Sequence, residues 1–210
     1  MTQSRGPGAS QLRHRVARWT FPQVRAYGCA VADFTGTYEL GPGAGRVLVK
    51  TGRAGLAAKA GHDLTMEITR WSARVTIPDG GVPAATVTAD LDLGSLAVRE
   101  GTGGAKPLTD RDRRDILNSA TKILGASATA NFASARVIPS PGGGAIEGTL
   151  SLHGTSGSLR LQVVSPSQGH YRGTAVVRQS DFGITPYSGF FGALKLRDEV
   201  TVEFEVQFAP

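Results

Sequence analysis

The last residues of the chain alternate strictly between apolar and polar side chains. The apolar members are Val202, Phe204, Val206 and Phe208, and the polar members are Thr201, Glu203, Glu205 and Gln207. Successive side chains of a β-strand point to opposite faces, so this period of two predicts a strand with one face in a core and the other in water. Residues 84–93 repeat the pattern, with Val87, Ala89, Leu91 and Leu93 on the apolar face. Both segments restrict the chain to sheets that bury one face.

Glycine-rich turns separate the short apolar alternations. The chain has 28 Gly in 210 residues, well above the average share of roughly 7%, and turn sequences such as Pro78 to Gly81 bound the alternating segments. This arrangement predicts an all-β fold. The predicted strands cover residues 36–40, 46–51, 64–77, 84–93, 127–138, 145–152, 158–165, 171–180 and 199–208.

The segment 64–77 changes the parity of its alternation. Apolar residues stand at even positions in its first half and at odd positions in its second half: Leu64, Met66 and Ile68, then Trp71, Ala73, Val75 and Ile77. A β-bulge or a sharp corner produces such a register change. The segment therefore predicts a closed, curved sheet.

Residues 110–117 carry the clearest helix signal. Thr109 stands three residues before Asp112, which is the spacing of a capping box, and acidic residues in a first turn suit the helix dipole. We expect this helix to cover an edge or one end of the sheet. A second short helix around 188–194 would contain Gly189 and Gly192, both of which lower helix propensity.

The positive charge is concentrated at the amino terminus. The formal net charge is +6, and residues 1–30 supply +5 of it through Arg5, Arg13, Arg15, Arg18 and Arg25, with no Asp or Glu. The remaining residues carry about +1, which gives no electrostatic footprint for a phosphate backbone. We therefore expect no nucleic-acid partner.

Residues 1–34 are predicted to form a basic, disordered leader, and residues 35–210 the β-domain. Two other interpretations of the leader stay open: an organellar transit peptide, or a start of translation near Val31. The chain shows no secretory signal pattern and no apolar stretch of 18 residues, and Cys29 is its single cysteine. We expect a cytoplasmic, bacterial protein.

An aromatic segment punctuated by glycine precedes the final strand. It contains Phe182, Tyr187, Phe190, Phe191 and Leu194. Placed just before a strand that faces a core, these side chains either line an apolar pocket or plug a filled interior. The sequence alone leaves both interpretations open.

Five short motifs, in this order and spacing, carry a family resemblance. They are Gly-His-Asp-Leu at 61–64, Arg-Asp at 114–115, His-Gly-Thr at 153–155, Ser-Asp-Phe-Gly at 180–183 and Asp-Glu-Val at 198–200. Together they make residues 36–208 resemble the YceI-like family. That family usually has a β-branched residue, a Thr and a basic residue after the His-Gly pair, whereas this chain has Thr155, Ser156 and Gly157.

The resemblance implies an elongated, eight-stranded antiparallel barrel, similar to lipocalins, with one or two short helices. It implies non-enzymatic binding, storage or transport of a polyisoprenoid or similar long-chain lipid inside the barrel, with no cofactor and no metal. Transient membrane contact and a homodimer are left open. The predicted ligand-binding residues are His62, Leu64, Met66, Ile68, Trp71, Leu91, Phe132, Leu150, Phe182, Tyr187, Phe190, Phe191 and Leu194.

Two alternatives come from different classes of protein. One is a small isomerase or hydrolase that acts on such a lipid through His62 and Asp63, although this pair more often caps a turn. The other is a filled structural barrel that works through its surface. Residues 154–158 miss the Gly-x-Ser-x-Gly nucleophile motif because position 158 is Ser, and the sequence predicts no catalytic residues.

Overall fold

The computed structural model describes residues 35–208. The predicted leader at residues 1–34 lies outside the described residues. The two other interpretations of this segment, a transit peptide and a start of translation near Val31, concern the same residues and stay predictions. The described chain forms an antiparallel sheet of twelve strands, one α-helix and several short 3-10 turns. The all-β prediction is confirmed.

The strands alternate with short turns along the chain. They are β1 (Gly36–Leu40), β2 (Gly45–Ala54), β3 (Asp63–Ile68), β4 (Trp71–Ile77), β5 (Thr86–Asp92), β6 (Leu96–Thr102), β7 (Thr129–Ser140), β8 (Gly143–Leu152), β9 (Thr155–Ser167), β10 (His170–Arg178), β11 (Ser188–Gly189) and β12 (Leu194–Gln207). The helix is α1 (Asp110–Leu124).

The sheet follows the order β1-β4-β5-β7-β8-β9-β10-β12-β2-β3-β6, and β11 pairs with β12. Its path ends at β1 and β6, but β3 runs into β4 through residues 69–70 and β5 runs into β6 through residues 93–95. The chain itself therefore joins the two ends, and the sheet curls around one interior.

The predicted count of eight strands is wrong. The segment 64–77, predicted as one strand, is broken into β3 and β4, β6 was not predicted, and β11 adds a short edge pairing. The alternation pattern shows where side chains point, but it does not show where ladder hydrogen bonding stops.

The break between β3 and β4 falls where the apolar parity changes. The Arg70 N–H donates to Ser95 Oγ over 2.9 Å, and Thr69 Oγ1 donates to the Ser95 carbonyl over 2.8 Å. Ser95 lies in the matching break between β5 and β6 and is buried. The two breaks are thus hydrogen-bonded to each other and form one corner of the sheet, as the parity change predicted.

Helix α1 begins with the predicted capping box. Thr109 Oγ1 accepts from the Asp112 N–H over 3.2 Å, and Asp112 Oδ2 accepts from the Thr109 N–H over 2.9 Å. The helix runs to Leu124, seven residues beyond the predicted end. The Arg113 guanidinium donates to the Val98 carbonyl over 3.0 Å, so α1 covers the edge strand β6, and carbonyls on such an edge would otherwise be open to pairing.

The second short helix left open around residues 188–194 is present only as a single 3-10 turn. Residues 188–194 form strand β11 followed by a 3-10 turn at Phe190–Gly192. Among the described residues, none of the helices has the length and apolarity needed to cross a bilayer.

The interior has two ends. We call the end bounded by residues 54–63, 101–108 and 187–196 the His62 end, and the end bounded by the turns at 78–85 and 140–143 the hairpin end. The strand registers support this division. Gly143 pairs with Val164, Val164 with Arg172, Arg172 with Glu205 and Glu205 with Arg46, so the turn at 140–143 is level with the start of β2, whereas Ala54 at the end of β2 pairs with Lys195.

Candidate functional site

The curled sheet encloses a cavity of about 1100 Å³. Alternate residues of nearly every strand line it, as expected when one face of each strand points inward. Strand β3 contributes Leu64, Met66 and Ile68, and strand β12 contributes Leu196, Val200, Val202, Phe204 and Val206. The wall is almost entirely aliphatic or aromatic, so the space suits an apolar guest.

Eleven of the thirteen predicted ligand-binding residues lie along this cavity. They are His62, Leu64, Met66, Ile68, Trp71, Leu91, Phe132, Leu150, Tyr187, Phe190 and Leu194. They come from opposite sides of the sheet and are brought together only by its curl. Their contact with a ligand stays a prediction.

Two predicted residues do not line the cavity. Phe182 is buried in a cluster with Ala130, Leu150 and Val177 and does not border the cavity. Phe191 points into solvent and is fully exposed. Both are aromatic residues of the segment between β10 and β12, and their apolar character alone could not show which of them faces inward.

His62 stands at the His62 end between two loops. Its Nε2 donates to the Lys106 carbonyl over 2.7 Å, and its ring lies so close to Gly104 that a Cβ there would be 2.1 Å from Nε2. A side chain at position 104 would therefore displace the ring. The neighbouring Gly61 is similarly required, since a Cβ there would approach Leu194 Cδ1 within 2.6 Å.

Asp63 does not serve as a partner of His62. Its Oδ1 accepts from the Arg53 N–H over 2.8 Å, and the Arg53 Nη1 donates to the Gly61 carbonyl over 2.7 Å. The Arg53–Asp63 contacts tie β2 to the start of β3. The pair His62–Asp63 therefore has the local, structural arrangement that the sequence also allowed.

Helix α1 supplies part of the wall that the sequence analysis missed. It borders the cavity with the polar residues Asp112, Asp115 and Ser119 and with the apolar residues Ile116, Ala120, Ile123 and Leu124. They recur at the three- and four-residue spacing of a helix face, so this signal was available beyond the predicted end at 117. Lys106 and Leu108, in the loop before the helix, also border the cavity.

One polar side chain in the wall lacks a partner. Thr51 is buried at 7% exposure, and its Oγ1 makes no hydrogen bond within the described part of the chain. A buried hydroxyl without a partner has a desolvation cost. The rest of the neighbouring wall on β3 and β12 is apolar.

Aromatic rings narrow the hairpin end. The Phe208 ring stacks on Tyr171 at 5.0 Å between centroids and packs against Tyr38 at 4.9 Å. Burial raises the pKa of the Tyr171 hydroxyl, and the nearby Tyr38 adds to this effect. Tyr171 and Phe208 also border the cavity, so they form its floor.

The carboxy-terminal motif residues shape the opposite end. The Ser180 N–H donates to Asp198 Oδ1 over 2.8 Å, and hydrogen bonds from Ser180 lower the pKa of Asp198. Gly183 adopts the left-handed conformation, φ 71°, and ends the 3-10 turn that buries Phe182. These motif residues therefore hold the segment before β11 in place.

The cavity and its motifs agree with the comparisons with known proteins. Residues 38–208 match the YceI-like domain family. No curated protein matches the sequence at a significant level.

Solved structures resemble the fold at low sequence identity. Burkholderia cenocepacia BcnA is 15% identical with a TM-score of 0.51, covering 79% of this chain and 96% of its own. A polyisoprenoid binding domain from Saccharophagus degradans, implicated in plant cell wall breakdown, is 14% identical with a TM-score of 0.48, covering 83% and 98%. At these identities the likeness to BcnA shows a shared fold alone.

The family match spans the whole curled sheet, from β1 to the residue after β12, and includes every wall strand of the cavity. The chain therefore belongs to the YceI-like family.

Proposed function

We propose that the protein binds a long-chain apolar ligand, such as a polyisoprenoid, inside the cavity and stores or carries it without chemical change. The observation that supports this is the cavity itself, about 1100 Å³ with an apolar wall. Small-molecule sites are usually about 300–1,000 Å³. A space just above that range, lined by residues of nearly every strand, fits a long chain better than a compact metabolite.

Burial alone supplies enough free energy. Each methylene moved from water into an apolar site contributes roughly 0.8 kcal/mol, so a five-carbon prenyl unit contributes on the order of 4 kcal/mol before the cost of association. Three or four units would give tight binding without a charged anchor. The scarcity of polar groups in the wall is consistent with this mode.

The ligand's polar group would sit at the His62 end. His62, Lys106 and Tyr187 border the cavity there together with Phe190 and Leu194, and so does Asp112 of α1, whose carboxylate interacts electrostatically with His62. The hairpin end is lined by the packed rings of Tyr171 and Phe208, which favour the apolar end of a chain. We propose that the chain enters with its headgroup towards His62.

The alternatives find less support. A filled barrel has no connected void, whereas this interior contains a large one. An isomerase or hydrolase using His62 and Asp63 would need the carboxylate to orient the imidazole, and that carboxylate accepts from the Arg53 N–H instead.

The test is to fill the cavity. Ala89 borders it on β5 between Ala73 and Phe132 in the ladders, and its neighbour Thr88 points outward. We expect A89W to lose a lipid that copurifies with the wild type, measured by native mass spectrometry and by lipid extraction of the same sample. The matched control T88W should keep the lipid.

Thermal unfolding of both variants checks that A89W stays folded. A wild-type protein with a clean apo mass that also fails to bind added polyprenyl lipid would contradict the proposed function. A lipid retained equally by A89W and T88W would place the ligand outside the cavity.

A further inference from the structure

Three large apolar side chains are exposed together at the His62 end. Leu56 is 100% exposed, Phe190 69% and Phe191 111%. We call these three residues the apolar triad. The other large apolar side chains exposed within residues 35–208 are valines at 45–58%, namely Val82, Val164 and Val176. Exposed aromatic and leucine side chains grouped in one place mark an interaction site.

Backbone hydrogen bonds hold the triad together. The Ala57 N–H donates to the Ala193 carbonyl over 2.9 Å, and the Ala193 N–H donates to the Phe190 carbonyl over 3.1 Å. The loop that carries Leu56 is therefore fixed directly on the turn that carries both Phe residues. Leu56, Phe190 and Phe191 form one surface on two connected loops.

The turn itself is strained. Phe190 and Phe191 have φ of 50° and 55°, in the left-handed region that bulky residues rarely adopt. This backbone directs Phe191 fully into solvent while Phe190 still borders the cavity. Strain of this kind persists where the surrounding structure enforces it, often at functional sites.

Unpaired cations flank the triad. Lys59 lies on the 3-10 turn three residues after Leu56. Lys195 is the second residue of β12, and its side chain is about 4.0 Å from where a Gly192 Cβ would stand. Both are exposed, and neither makes an ion pair with a described residue. Lys106, exposed at the cavity border, is likewise without a carboxylate partner in residues 35–208.

Several arginines elsewhere on the sheet form ion pairs, unlike these three lysines. On the outer face they pair across strands with carboxylates, as Arg46 does with Glu205 and Arg74 with Glu39. Among the carboxylates near this end, Asp63 is paired with Arg53, whereas Asp198 and Asp112 accept hydrogen bonds from the neutral Ser180 and Thr109 and keep their negative charge. None of them forms an ion pair with Lys59, Lys106 or Lys195 within residues 35–208, so these lysines can contact an anionic surface.

We propose that the His62 end docks on an anionic lipid bilayer. The apolar triad inserts at the boundary between headgroups and acyl chains, and Lys59, Lys106 and Lys195 face the lipid phosphates. Such a combination of apolar insertion and basic residues is how peripheral proteins bind membranes reversibly. Docking is argued from this surface alone. That docking would bring the cavity to the source of its ligand rests on the proposed function.

The test uses the full chain and vesicles of defined composition. We expect it to cosediment with vesicles of equimolar phosphatidylcholine and phosphatidylglycerol, and more weakly with phosphatidylcholine alone. The double variant L56S/F191S removes two triad residues that do not line the cavity, and should lower partitioning about tenfold or more. The matched control V164S/V176S removes exposed apolar side chains from β9 and β10 and should change it by less than about twofold.

A charge variant tests the second component. K59Q/K195Q should lower partitioning onto the anionic vesicles about tenfold while leaving binding to phosphatidylcholine unchanged, and added salt should have the same effect on the wild type.

Ligand binding is measured separately, without vesicles. L56S/F191S should still bind a polyprenyl lipid, and a protein that binds vesicles but no such lipid would overturn the proposed function and leave docking intact. Equal vesicle binding by L56S/F191S and the wild type would overturn docking. So would a wild-type oligomer that L56S/F191S converts to a monomer without any change in vesicle binding, because the triad would then be a contact between copies.

Discussion

The two ends of the interior use aromatic side chains in opposite ways. At the hairpin end the rings of Tyr38, Tyr171 and Phe208 pack against each other within 5.0 Å and join the cluster around Trp71. At the His62 end Phe190 and Phe191 are exposed on a left-handed turn. The same residue type thus stabilises the fold at one end and remains available for contact at the other. Truncations should therefore affect stability at the first end and binding at the second.

The largest expected effect is a core truncation. Trp71 is 8% exposed and packs with Leu40, Val47, Ile68 and Val206, so W71A should lower the free energy of unfolding by about 3–5 kcal/mol. Its counterpart F191A should change it by less than about 0.5 kcal/mol. Chemical denaturation measures both. Similar losses for the two variants would remove the distinction between the ends.

A smaller gain is expected at Thr51. Its Oγ1 is buried without a partner, so T51V keeps the shape and removes the desolvation cost, and should raise the free energy of unfolding by about 1–2 kcal/mol. The control T88V changes an outward-facing Thr of β5 and should stay within about 0.5 kcal/mol of the wild type. A destabilised T51V would show that the hydroxyl is satisfied in solution.

The strained backbone at Phe191 predicts a change in unfolding free energy of about the same size as that of T51V, or smaller. Glycine adopts positive φ without steric cost, so F191G should exceed F191A in unfolding free energy by about 1 kcal/mol. The comparison with F191A separates backbone relief from loss of the aromatic ring. If F191A proved the more stable of the two, the left-handed conformation at position 191 would not be the solution conformation.

The smallest expected effect depends on pH. Glu205 accepts hydrogen bonds from Arg172, Arg46 and His170, and these lower its pKa from 4.5 to about 2. A carboxylate with a lowered folded-state pKa stabilises the protein above its unfolded pKa, and loses that contribution as the pH falls from 4.5 towards 2.

The stability advantage of wild type over E205Q should therefore be present at pH 6 and shrink as the pH falls through that window, as followed by thermal unfolding. If the stability difference between wild type and E205Q stayed constant from pH 6 down to pH 2, the pKa of Glu205 would not be lowered as its hydrogen bonds predict.

Much of the fold follows from local patterns. The alternation in residues 201–208 and 84–93 predicted strands β12 and β5, the parity change in residues 64–77 predicted the corner at residues 69–70, and Thr109 with Asp112 predicted the start of α1. Each of these signals depends on spacing within a few residues. The number of strands was not predictable in this way, because strand breaks depend on which neighbour a segment pairs with.

The candidate site likewise has a part that local sequence patterns predicted and a part that they did not. The sequence marked the apolar faces of β3, β5 and β12, and so most of the cavity wall, because a residue's side of a strand is set by its position alone. Whether those faces enclose a void or a filled core depends on the curl of the whole sheet and on α1 crossing its open edge. In the aromatic segment before β12, neither spacing nor hydropathy distinguishes Phe182, which is buried in the core, from Phe191, which is exposed to solvent. The left-handed backbone and contacts with distant strands decided that, and only the tertiary structure contains them.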